Sequence, residues 1–94
     1  MQFQSIYNLK RINMITQDEF LKEFRGLFDE TEVSDIQFET KFKELEEWSS
    51  LIVLSLIVMF EEEFNSKIAP NEIEKSITIN DLFQFALNNI NKDA

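Results

Sequence analysis

The apolar positions change character along the chain. Phe20, Phe24, Leu27 and Phe28 fall three and four residues apart with Leu21 beside them, the spacing of a helix that buries one face. Just upstream, Thr16-Gln17-Asp18-Glu19 has the form of a capping box, in which side chains satisfy the first free N–H groups of a helix. A first helix is therefore predicted over 17–30. Over 31–48 the period disappears. Val33, Ile36, Phe38, Phe42 and Leu45 lie scattered among charges, as in a long loop pinned to a core by single side chains.

Residues 51–64 (LIVLSLIVMFEEEF) are rich in Ile and Val, which also suit strands, but their length and helical projection favour a helix. At about 100° per residue, Val53, Leu56, Ile57, Phe60 and Phe64 gather on one face as the candidate core. Leu51, Leu54 and Val58 form a second apolar stripe on the opposite side. That stripe has two readings: it is buried under the long loop, or it is left exposed for a partner. After a break at Asn65-Ser66, Pro70 suits the first position of a short helical turn over 71–75. Thr78-Ile79-Asn80-Asp81 is a cap with Asp in place of Glu. It opens a last helix over 79–91 that carries Leu82, Phe83, Phe85, Ala86, Leu87 and Ile90. The expectation is all-α: a small four-helix bundle of three longer helices and one short one, with a long first loop.

Ninety-four residues suffice for one domain, assigned to 14–94. One Gly and one Pro are too few for a many-turned β-sandwich. Residues 1–13 place Lys10 and Arg11 after their apolar residues rather than before, so they do not read as a secretory signal. They are expected to be a disordered leader, a cloning remnant or the result of an upstream start, with Met14 as a second initiator. The most apolar run, 51–60, is half of the roughly 20 residues that a bilayer requires, so no membrane span and a cytoplasmic location are expected.

Eighteen acidic against nine basic residues give a formal charge of −9. That disfavours nucleic acid and favours basic protein surfaces. With no Cys and no His, disulfides, zinc sites, thiolate nucleophiles and hydrolytic triads are excluded, leaving carboxylates as the sole catalytic resource. No pair of acids marks an evident cleft, so a carboxylate hydrolase is a distant reading and no metal site is expected.

One stretch carries more than composition. Glu44-Leu45-Glu46-Glu47-Trp48-Ser49-Ser50-Leu51 resembles the prosthetic-group signature of acyl carrier proteins. In that family a Leu-rich loop ending in Asp-Ser-Leu opens the second helix, and Trp often stands two residues before the Ser. Phe60-Glu61-Glu62-Glu63-Phe64 is similar to the acidic end of that helix. Ile68-Ala69-Pro70 and Ile77-Thr78-Ile79 resemble the family's later spacing, so the similarity spans about residues 16 to 91.

The resemblance implies a bundle of acyl-carrier type and a carrier rather than an enzyme. By position it makes Ser50 the attachment point of a covalent 4′-phosphopantetheine, whose thiol holds acyl intermediates as thioesters during fatty-acid, polyketide or related lipid biosynthesis. The implied partners are a phosphopantetheinyl transferase, which uses coenzyme A and magnesium, and acyl-transferring and chain-extending enzymes with basic or apolar docking surfaces. A monomer is expected, with docking assigned to Leu51, Leu54, Val58, Glu61 and Glu62. The chain departs from the pattern twice. Ser49 stands where the family has the Asp that helps a transferase recognise its substrate, and Ser49 is best read as the helix cap. Ile52 and Ser55 stand where the early second helix is usually acidic, so docking beside Ser50 is expected to be more apolar. The alternative function is a non-covalent helical interaction module that keeps the carrier shape without the prosthetic group.

Overall fold

A computed structural model describes residues 15–89. The leader assigned to 1–13 lies outside them, as does the predicted end of the last helix at 90–91. The described chain forms four α-helices: α1 (Gln17–Arg25), α2 (Ser50–Phe64), α3 (Pro70–Lys75) and α4 (Ile79–Asn88). Between α1 and α2 the long connection contains two 3₁₀ turns, Val33–Asp35 and Phe42–Glu44. No β-strand occurs among the described residues, so the all-α expectation stands in its coarse form.

Side-chain caps open α1, α2 and α4. At α1 the Thr16 hydroxyl accepts the Glu19 N–H at 3.1 Å, and the Glu19 carboxylate accepts the Thr16 N–H at 3.4 Å. Helix α1 is shorter than the predicted 17–30. Beyond Gly26 the chain tightens: Leu27 and Phe28 donate to the carbonyls of Phe24 and Arg25, three residues back rather than four. This tighter turn still carries Phe28 into the core, which is why the apolar spacing outlasts the α-helix. Pro70 opens α3, where its missing N–H removes no hydrogen bond. At α4 the Asp81 carboxylate accepts the N–H groups of Ile77 and Thr78, at 2.9 and 3.0 Å. Helix α2 stops at Asn65, whose left-handed φ of 51° lets the Ser66 N–H reach the Phe60 carbonyl at 3.0 Å.

The core is a cluster of phenylalanines. Phe20 meets Phe60 edge-on at 5.8 Å, and its ring centre lies 5.4 Å from Phe64 and 5.5 Å from Phe83, so α1, α2 and α4 share one centre. These contacts turn α2 relative to the sequence expectation. Leu56, Phe60 and Phe64 are buried as predicted, but Val53 and Ile57 are only half-buried, and Ile52 and Met59 take the remaining core places. The buried face is rotated by about 60° from the predicted one, at 100° per residue. The cause is that α2 is apolar nearly all round, so its own period cannot fix its rotation and packing against Phe20 does. Ile52 therefore does not belong to the surface beside Ser50, as its alignment with the family's acidic positions suggested.

The long connection is fixed by point contacts. Ile36 and Phe42 are fully buried. The Arg25 guanidinium donates twice to the Ile36 carbonyl, at 3.0 and 2.7 Å. The first N–H groups of α4, on Ile79 and Asn80, donate to the carbonyls of Thr40 and Phe38 at 3.1 and 2.9 Å. The helix end is thereby satisfied by the loop instead of by water. Among the described residues no helix is long and apolar enough to cross a membrane.

Candidate functional site

The connection delivers its last residues to the start of α2 along a constrained path. Trp48 packs edge-on against buried Phe42, with ring centres 4.9 Å apart, and its backbone N–H donates to the Leu45 carbonyl at 3.0 Å. Ser49 follows in extended conformation as the N-cap, its hydroxyl accepting the Ile52 N–H at 3.4 Å and its carbonyl accepting the Val53 N–H at 3.0 Å. Ser50 is the first helical residue. It is exposed, and among the described residues its hydroxyl has no hydrogen-bond partner. The two serines thus divide the work: one closes the helix end and the other is presented to solvent. The N–H groups of the first turn and the positive end of the helix dipole lie beside Ser50.

Glu47 ties this approach to the end of α1. One of its oxygens accepts the Asp29 N–H at 2.7 Å. The other accepts the Glu30 N–H at 3.0 Å, the Thr31 N–H at 2.9 Å and the Thr31 hydroxyl at 2.7 Å. Three consecutive backbone donors and one hydroxyl converge on a single carboxylate, the arrangement of an anion-binding nest. The Thr31 hydroxyl, reinforced by the backbone N–H groups of Asp29, Glu30 and Thr31, holds the Glu47 carboxyl below the usual glutamate range, against a smaller opposing effect of burial. Nothing in the local sequence distinguishes Glu47 from Glu44 and Glu46, so this role was not legible before the fold.

The stripe on α2 resolves to the exposed alternative. Leu51 is 71%, Leu54 61% and Val58 50% exposed, and the long loop covers none of the three. Leu54 and Val58 form one wall of an open groove of about 440 Å³ between α1 and α2, completed by Gly26, Leu27, Ser55 and Met59. Glu23, Glu62 and Glu63 rim it. Glu61 is also exposed but lies outside the groove lining. The α2 wall was legible in the sequence and the α1 wall was not, because Glu23 and Leu27 have the spacing of an ordinary amphipathic helix. The site residues therefore fall into two adjoining groups: Ser50 with Leu51 at the helix start, and Leu54, Val58 and Glu62 along the groove.

No family model matches the chain, and no solved structure matches it.

Proposed function

We propose that the protein is an acyl carrier, with 4′-phosphopantetheine borne on the Ser50 hydroxyl. The observation that carries this reading is the exposed, unengaged Ser50 hydroxyl at the first position of α2, flanked by the Ser49 cap and the Trp48 anchor. The residues present fit the group. A phosphodiester on Ser50 would lie beside the free N–H groups and positive dipole of the first helical turn. The Ser49 substitution keeps the capping function of the family's Asp, since Ser and Asp are near-equivalent caps, and removes only its charge. When bound, the arm supplies the thiol that a chain without Cys lacks.

The chain's own residues contribute presentation. Ser49 and Trp48 hold the start of α2 so that Ser50 projects into solvent. Leu51, Leu54 and Val58 offer a partner enzyme an apolar contact beside the loaded residue, and Glu61, Glu62 and the overall negative charge attract basic surfaces at longer range. Tethering then raises the effective concentration of cargo at each docked partner.

The test is incubation with coenzyme A, magnesium and a panel of phosphopantetheinyl transferases, read by intact mass. Wild type and Ser49→Ala should gain the arm, and Ser50→Ala should not. Labelling that survives Ser50→Ala overturns the assignment. A second reading, a non-covalent interaction module, is favoured by the loss of the acidic recognition residue at Ser49 together with the retained apolar stripe. No labelling by any transferase, together with an unmodified protein from its own cells, would select it.

A further inference from the structure

We propose that Glu47 is a positioning residue for Ser50: it locks the approach to α2 onto the turn after α1, so that a modifying enzyme meets one fixed arrangement of loop and hydroxyl. The proposal rests on the carrier reading of Ser50. Between α1 and α2 the chain runs through a long stretch with only two short 3₁₀ turns, yet its last residues must arrive in register with the helix cap. The buried anchors Ile36 and Phe42 secure the stretch from below. On the outer side, the four hydrogen bonds of Glu47 to residues 29–31 join its two ends. Glu47 is three residues from Ser50, and both intervening residues are themselves fixed, Trp48 by Phe42 and Ser49 by the Ile52 N–H. A displacement at Glu47 has no slack in which to dissipate before it reaches Ser50.

The chemistry of the carboxylate is specific. Two oxygens share four donors, with the Asp29 N–H on one and the other three on its neighbour. Glutamine offers a single acceptor oxygen, so at least one N–H loses its partner and faces an amide NH₂ instead. Alanine leaves all three backbone donors to solvent. Thr31→Val removes only the hydroxyl contact and keeps the three backbone bonds.

The experiment measures transferase kcat and KM separately for wild type, Glu47→Gln, Glu47→Ala and Thr31→Val, with melting curves on the same samples. Glu47→Ala should raise KM for the carrier by about tenfold or more while the melting transition stays cooperative and well above the assay temperature. Glu47→Gln should lie between it and wild type, and Thr31→Val should show the smallest rise. The amide NMR signals of Ser50 and Leu51 should shift in Glu47→Ala, while those of α4 should not. If Glu47→Ala does not fold, Glu47→Gln carries the same test. Labelled wild type with an unchanged KM in the variants overturns the role of Glu47 alone. Wild type that no transferase labels and that carries no addition when purified from its own cells overturns the carrier reading and this role with it.

Discussion

Ser49 and Ser50 are identical in chemistry and adjacent in sequence, and the helix start separates their uses. Ser49 has extended backbone and turns its hydroxyl inward to the Ile52 N–H, whereas Ser50 has helical backbone and faces outward. Ser49→Ala should therefore cost about 0.5–2 kcal/mol of stability, measurable by denaturant unfolding. Ser49→Asp should keep the cap, gain a few tenths of a kcal/mol or more from the helix dipole, and speed priming by general transferases. Glu47 provides a different signature at the same scale. Its carboxyl is held below the ordinary range in the folded state, so its stabilisation is present above the unfolded value of about 4.3 and is lost as pH falls through the folded value. The stability gap between wild type and Glu47→Ala should thus be full near pH 6 and shrink steadily below about pH 4. Asp81, lowered by the N–H groups of Thr78 and Ile77, adds acid sensitivity of the same sign to both proteins and does not alter the difference.

Helix α2 has two apolar sides with opposite fates, and substitutions on them should separate cleanly. Leu56 and Phe60 are fully buried, so Phe60→Ala should cost about 3–5 kcal/mol, and Ile52→Glu should unfold the domain. Leu54→Glu and Val58→Glu should leave the melting temperature nearly unchanged and slow transfer to a partner enzyme by tenfold or more, about 1.4 kcal/mol per tenfold. A Leu54→Glu protein that unfolds would return that residue to the core. The existence and type of this helix were legible from length and projection, and the outward stripe from its angular separation. The rotation was not. Five core residues were expected, but Ile52 and Met59 displaced Val53 and Ile57, because a helix apolar nearly all round is oriented by the rings it meets. The capping boxes of α1 and α4 were legible because their chemistry is local. The Glu47 contacts and the α1 wall of the groove were not, since both join residues far apart in sequence.

At the scale of the whole molecule, a formal charge of −9 accompanies an exposed apolar stripe on α2, and on the carrier reading the two should act on different steps of association. Charge steers encounter and is screened by salt, whereas apolar contact sets residence. Glu61→Lys combined with Glu62→Lys should therefore slow partner association at low ionic strength, with the difference fading as salt is raised. The Leu54→Glu defect should persist at every salt concentration. Both effects presuppose that Ser50 carries cargo, and that is the central claim. The most direct measurement is the intact mass of the protein purified from its own cells, followed by peptide mapping of the added group. A population heavier than the bare chain by a phosphopantetheine arm, free or acylated, is expected, with all of the addition on Ser50. A protein recovered wholly at the mass of the bare chain, or modified at another residue, would contradict it.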